Sequence, residues 1–496
     1  MSLVHQSAWA AAAAVTLTAA RFALVAIVAK RLSQAGFGQF AYAQWLVDLT
    51  FLVCSLGATG VVGRYAAEYR TRPERLAALM VRWRPFAFGL PVLASGAVLL
   101  GVLLTGLHLD ATALSMLAIW TATNGLWAMQ TAALVGLQRF DLIFRANALA
   151  AVIMLAGVLM LPLQGEDIAP LLGLMAIACG AAATVGIHAV RQLTVGAVGS
   201  IEPDGWRSIR GYAVNIWITA LLWSLVWSRG EMPVVRAYLG DAGVAQYAAA
   251  LTLFGGAIQG VMLAVSGVLP QLTMLWGSGR RDEAIATARS VMDVQLLFCG
   301  AGALLLICLG PELVSFAFGS AYRQASAPLA IFAVGLLAMA VSSQNHVLQI
   351  ETDARFSRNT MLIGLVLLFG AAIVLTPRYG LSGAAMARAG TMLLLALISL
   401  VVVARRWGLE SITGQNVLAV TAVVGASAAA LAWNEVSNVL QRIALLGVGL
   451  FMLAALLRNR NGQLLSLALP QIVWARSRSG DISARKGNQA DKEGSA

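Results

Sequence analysis

The sequence predicts an all-α polytopic membrane protein of about 14 transmembrane helices, two parallel-repeat six-helix lobes around a central cavity plus two extra C-terminal helices. Three observations predict it. Only 11% of the 496 residues are charged and 59% are hydrophobic, with a mean hydropathy of +0.79, which leaves too little polar surface for a water-soluble chain. Apolar runs of roughly 18 to 25 residues recur along the length, each about long enough to cross ~30 Å of hydrocarbon as a helix and none alternating like a membrane β-strand. The stretch Arg21–Ala43 also returns, about two hundred residues later, as Ser228–Ala250.

The first apolar run, 8–29, has no basic leader and carries Arg21, so it reads as a retained span and not as a cleaved signal. Spans at 40–63, 85–107, 112–135, 146–163 and 169–190 complete an N-lobe over 1–195. A linker rich in Gly, Pro and charge, 196–210, leads to a C-lobe over 211–408. Its spans are 211–236, 244–268, 291–309, 325–347, 360–376 and 380–403. Two more, 414–432 and 438–457, form an appendage over 409–457, and 458–496 is a basic tail. Thr71 and Glu74 have capping-box spacing with Pro73 between them, which predicts a short surface helix ahead of the third span. In the tail, Leu464–Trp474 suits the membrane interface, and Ala475–Ala496 has the composition of a disordered segment.

At an offset of 207, Leu32, Ala35, Gly36, Gln39, Ala41 and Ala43 fall on Leu239, Ala242, Gly243, Gln246, Ala248 and Ala250. Six spans separate the copies, and an even number returns the chain to the same side, so the lobes are expected to be parallel. Of 34 Lys and Arg residues, 25 lie in alternate loops and the tail, which predicts cytoplasmic N- and C-termini. The formal charge of +12 is thereby explained by topology, and a nucleic-acid partner is not expected. Cys54, Cys179, Cys299 and Cys308 sit inside apolar segments without metal or disulfide spacing, and no metal site is expected.

Charges inside spans carry the functional signal, because each costs roughly 2.5–3.5 kcal/mol near the bilayer centre and needs a partner or water. Arg21 and Asp48 flank the first outer turn symmetrically, so the two lie at similar depth, either as a structural ion pair or facing a hydrated cavity. The offset carries Arg21 to Ser228, beside Arg229, and Asp48 to Gly255, so the second copy keeps the cation without the acid; Glu231 is a nearby alternative partner. Arg388 lies in the twelfth span without an evident partner, either snorkelling to the interface or facing the cavity. Guanidinium forks match phosphate oxygens, so Arg21, Arg229 and Arg388 together suit a phosphate-bearing substrate. Trp223 and Trp227, with Trp217, Trp120 and Trp127, offer faces for sugar rings or for packing. Gly36, Gly38 and Gly243 read as permitting tight outer turns, and Asp293 as interfacial.

Four segments, GFGQFAYAQWLVDLTFLVCSLGATGVVGRYAAEY, VLPQLTMLWGSGRRDEA, FAFGSAYRQASAPLAIFAVG and TPRYGLSGAAMARA, resemble stretches of the bacterial polysaccharide transporter (O-antigen flippase-like) family. That family belongs to the multidrug/oligosaccharidyl-lipid/polysaccharide exporter superfamily. The resemblance implies alternating access and translocation of an undecaprenyl-diphosphate-linked oligosaccharide across the inner membrane, for surface polysaccharide, exopolysaccharide or lipopolysaccharide O-antigen. Related peptidoglycan-precursor flippases use arginines in the first helix and at the start of lobe two, matched here by Arg21 and Arg229. Polymerase or export machinery would be a downstream partner. No cofactor is implied, and Asp48 sits where a proton or sodium ion could couple to transport.

Two rivals compete. A multidrug or organic-cation antiporter of the same superfamily should favour unpaired membrane acids, whereas arginines outnumber acids in the mid-membrane set. A membrane enzyme would need an outer or cytoplasmic domain with acid, base or metal ligands, but the four histidines are scattered and no Asp-x-Asp occurs.

Overall fold

The computed structural model describes residues 3–69, 72–194, 203–264, 268–352, 355–408, 414–432 and 438–458. The chain is an all-helical, multi-pass membrane protein. Its helices are α1 (Leu3–Arg31), α2 (Gln34–Cys54), α3 (Ala58–Glu68), α4 (Pro73–Thr105), α5 (Ala111–Gly136), α6 (Phe140–Met160), α7 (Ala169–Thr194) and α8 (Pro203–Trp223). A π-helical segment, Ser224–Arg229, precedes α9 (Met232–Ala264). Then come α10 (Val268–Gly277), α11 (Arg281–Cys308), α12 (Gly310–Phe318), a 3-10 turn Ser320–Ala325, α13 (Ser326–Gly335) and a second 3-10 segment, Leu336–Val341. The last are α14 (Ser342–Glu351), α15 (Arg355–Trp407), α16 (Gly414–Ala432) and α17 (Val439–Arg458). Each of the fourteen expected spans has a helical counterpart. Thr71, residues 196–202 of the linker, Leu464–Trp474 and Ala475–Ala496 lie outside the described residues, and the remainder of the expected linker, 203–210, is not a loop but the first turns of α8.

Two of the helices, α9 and α15, are broken within their length. A 53-residue helix such as α15 would span about 80 Å, so a break is required. It comes at Gly380 (φ 57°), and the matching break in α9 comes at Gly240 (φ 66°). Both need a left-handed backbone, which glycine adopts without the Cβ penalty.

Three local expectations are corrected. The surface helix read at Thr71–Met80 is the first part of α4, which runs unbroken from Pro73 despite Pro85 and Pro91 inside it. The second span is not straight: α2 and α3 meet at 61°, through Leu56 (φ 47°) and Gly57 (φ 77°). Gly36 and Gly38 do not form a turn. They lie inside α2 as close-packing positions, where a Cβ on Gly38 would come within 1.8 Å of the Asp241 carbonyl oxygen and 3.2 Å of Ala245 N. Ala245 is the repeat counterpart of Gly38 at the 207-residue offset. A residue that meets its own counterpart sits near the axis relating the copies.

The chain divides into two compact units. Unit 1 comprises Met1–Gly256, Leu309–Gly335 and Arg355–Leu395. Inside it, segments of both repeat copies meet at both ends. At the turn-bearing end, Gln34 and Gln246 both donate to the Ala321 carbonyl, at 2.7 and 2.8 Å, and Lys30 donates to Phe316 O at 2.7 Å. Phe37 packs edge-on against Tyr322 beside them. At the other end the α2–α3 bend frees the Leu52 and Val53 carbonyls, and Trp217 Nε1 donates to both at 3.1 Å. Phe51, next to the bend, belongs to a buried cluster that includes Tyr65, Trp83 and Ile209. Removing both amides, Gln34→Ala with Gln246→Ala, is expected to raise labelling of a cysteine placed at the buried Ala325 by a membrane-impermeant thiol reagent. Unchanged labelling would show that the two bonds do not hold this end shut.

Unit 2 comprises Ala257–Cys308, Leu336–Ala354 and Ala396–Ala496. Its centre is α11, against which α16 and α17 pack through Gly300, facing Val420 and Leu453, and through Leu304, facing Gly449. Asp293, near the start of α11, is buried against neighbouring helices, 6% exposed. The four cysteines are free and buried.

Candidate functional site

Five charged side chains converge within unit 1. Arg21 comes from α1, Asp48 from α2, Arg229 from the π-helical segment, Glu231 from the turn after it and Arg388 from α15. Arg229 is in electrostatic reach of all four others, and Asp48 of Arg21 and Arg229. Sequence reasoning had singled out each of them. Their pairing differs from the pairing that proximity in sequence suggests.

Glu231 belongs to Arg388, not to Arg229. Arg388 Nη1 donates to Glu231 Oε1 at 2.7 Å and Oε2 at 3.0 Å, and Nη2 donates to the Trp227 carbonyl at 2.5 Å. Tyr247 completes the carboxylate by donating to Oε1 at 2.7 Å. The arginine is 2% exposed and the glutamate 0%, so this ion pair is sealed from solvent and joins the π-helical segment to α15. Phe332 packs edge-on against Tyr247 and stacks on Phe254, closing the apolar side.

The π-helical turn positions both partners. A π-turn widens the helix by one residue and loosens the backbone ladder; here the Trp227 carbonyl is taken by Arg388. Gly230 ends the segment, and a Cβ there would lie 2.0 Å from the Leu225 carbonyl oxygen, so the turn requires glycine. Nothing in the hydropathy of 211–236 announces the turn; the Ser-Arg-Gly-Glu run at 228–231 is its one visible sign.

Arg21, Asp48 and Arg229 form the other half of the cluster. Among the described residues neither Arg21 nor Arg229 closes a salt bridge, and Arg21 Nε is buried without a hydrogen-bond partner. Asp48 lies about 21 Å along α2 from Gln34 yet is exposed, while Val47 and Phe51 beside it are buried. Its neighbours come from α1, α5 and the π-helical segment, so the exposure opens into a cleft inside the unit. Asn124 of α5 and Cys179 of α7 lie beside Asp48, and Cys179 is also close to Arg21. Asn124 and Cys179 were not expected, because a single amide or thiol in an apolar helix carries no distinguishing signal.

The tryptophans divide by role. Trp120 is buried and stacked on Phe40, with an interplanar angle of 8°, and Trp127 is buried; both are packing residues. Trp217 holds the α2–α3 bend. Trp227 is half-buried, its Nε1 3.0 Å from the Met361 sulfur, and Trp223 is 58% exposed. Two formed pockets, of about 580 and 480 Å³, lie away from the charged cluster; the second is lined by Tyr42, Thr105, Arg236 and Asp241.

No protein-family model matches the chain, and no curated protein matches it. Solved structures do. The lipid II flippase MurJ, in an inward closed conformation, superposes with a TM-score of 0.67 at 13% identity, covering 94% of this chain and 99% of that one. A multidrug resistance MATE family transporter of the MOP superfamily, inward-facing, gives 0.62 at 13% identity over 82% and 95%. A MOP superfamily transporter from Pyrococcus furiosus, described by a binding pocket of reversed polarity, gives 0.58 at 13% identity over 84% and 95%. At these identities the likeness is one of fold. Two of these three are described as transporters of the MOP superfamily and the third as a lipid II flippase.

Proposed function

We propose that the protein is a flippase that moves undecaprenyl-diphosphate-linked oligosaccharide repeat units from the cytoplasmic to the periplasmic leaflet of a bacterial inner membrane, for surface or exopolysaccharide synthesis. The observation that carries this reading is the uncommitted pair of guanidiniums: Arg21 and Arg229, one from each repeat copy, face a common cleft, and Arg21 keeps an unpartnered buried Nε. A diphosphate supplies the acceptors they lack, in a charge-assisted fork geometry. Arg388 supports the site by holding Glu231 away from Arg229, so the cluster keeps three cations against two acids. Trp223 and Trp227 are the faces for sugar rings, and the lipid tail stays in the bilayer. The N-lobe (1–195) and C-lobe (211–408) rock about the 196–210 linker, with spans 409–457 as an appendage and the 458–496 tail and N-terminus in the cytoplasm.

One observation favours a second reading. Asp48 is an exposed carboxylate in the same cleft, which is what a multidrug or organic-cation antiporter would present to its substrate. The test separates the two. Arg21→Ala and Arg229→Ala are each expected to lower surface polymer about tenfold or more at normal protein level, the scale of one lost hydrogen bond to a charged group. The lipid-linked intermediate should accumulate, identifiable by mass spectrometry, and Arg→Lys should retain part of the activity. Normal polymer in both alanine variants, with organic-cation transport by the purified protein, would give the site to the antiporter.

A further inference from the structure

Asp48 is the one group of the cleft that opposes an anionic substrate, and its position gives it a task. It lies in reach of both uncommitted arginines, bonded to neither within salt-bridge distance, and it is exposed where they are half-buried. Glu231, the other acid, is fully occupied by Arg388 and Tyr247. Asp48 is therefore the only acid of the cluster free to approach Arg21 and Arg229 or to leave them. The groups facing it are Arg21 on α1, Asn124 on α5, Cys179 on α7 and Arg229 on the π-helical segment, with the Arg388–Glu231 pair behind Arg229.

A carrier that binds an anion on one side must return empty, and this sets a physical problem. Two bare guanidiniums enclosed without a counter-charge would each carry an uncompensated desolvation penalty. In the cleft as it stands, one carboxylate beside the two arginines removes part of that cost.

Resting on the flippase reading, we propose that Asp48 is a tethered counter-anion: it competes with the substrate's diphosphate for Arg21 and Arg229, gives way when substrate binds, and neutralises the pair while the empty carrier returns. Affinity and turnover are then set against each other by one residue. Removing its charge should strengthen binding and slow the cycle, a combination that neither a purely structural aspartate nor a site for a coupling ion produces.

The experiment uses the full chain in lipid nanodiscs with inorganic pyrophosphate as probe, alongside surface polymer in cells. Asp48→Asn is expected to bind pyrophosphate about tenfold more tightly, the order of one unit charge removed at a few Å in a hydrated site, while steady-state export falls several-fold at normal protein level. Asp48→Ser removes the same charge and serves if the asparagine variant folds poorly. Equal or weaker pyrophosphate binding in the neutral variants, with Arg21→Gln abolishing it, overturns the counter-anion and leaves the flippase reading standing. Tighter binding with undiminished export overturns the return role. A wild-type protein that binds no pyrophosphate, with Arg21→Gln no different, removes the anion site and the role of Asp48 together.

Discussion

Arg388→Met is expected to destabilise the protein by about 3–5 kcal/mol, the cost of leaving one partner of a buried ion pair uncompensated. Glu231 is 0% exposed, so no water reaches the carboxylate that the substitution strands, and Tyr247 supplies a single donor where three bonds existed. The Trp227 carbonyl loses its donor in the same step, which loosens the π-helical turn next to Arg229. The effect should be reversible by a second change. With Glu231→Gln added, no charge remains buried, and the double variant should recover to within about 1–2 kcal/mol of wild type, since an ion pair replaced by neutral groups of similar volume is often near-neutral. Thermal unfolding of purified protein in detergent, run on both single variants and the double, measures the coupling. Additive losses would mean that the two side chains do not depend on each other. Arg229→Ala is the contrast: it removes a charge that has no salt-bridge partner among the described residues, so stability should change little while transport is lost.

What the chain's order of residues revealed, and what it hid, follows from the range of each interaction. Span positions were legible because a helix in hydrocarbon must be apolar for its whole length, and Arg21, Asp48, Arg229, Glu231 and Arg388 stood out because charge is costly there. The repeat was legible because its small residues recur at one offset. Partnership was not, since Arg388 and Glu231 are 157 positions apart and nothing in local sequence links them. Glu231 looked like the partner of Arg229 on proximity alone, yet residues two apart on a helix point to different sides. Backbone irregularities were hidden for another reason. The bend at Ser55–Gly57, the π-helical turn and the broken α9 and α15 each rest on one or two glycines in a chain that has 48 of them. Hydropathy averages over such positions, while the hydrogen bonds they release are what Trp217 and Arg388 hold.

Gly38→Ala is expected to have the second large effect, on the coupling of the two repeat copies. The added Cβ would lie 1.8 Å from the Asp241 carbonyl oxygen and 2.7 Å from its carbon, distances no real methyl group tolerates. The obstructing atoms are backbone, so no rotamer change clears them; α2 and the start of the post-Gly240 helix must separate by more than 1 Å. That separation carries further, because Asp241 accepts from Arg236 at 2.7 Å, and Arg236 in turn donates to the Thr105 carbonyl at 2.7 Å and lies over Tyr42. Overpacking of this kind costs about 1–3 kcal/mol where the surroundings can yield, and a backbone contact on the axis of the repeat belongs at the upper end. Gly89→Ala and Gly96→Ala in α4 are the matched controls, since a Cβ at either meets nothing within 4 Å and should leave stability unchanged or slightly raised. Thermal stability of the three variants, together with labelling of Ala325→Cys in the Gly38→Ala background, reads both consequences. A Gly38→Ala protein as stable as the controls and no more open at the turn-bearing end would show that the copies do not touch there in the membrane.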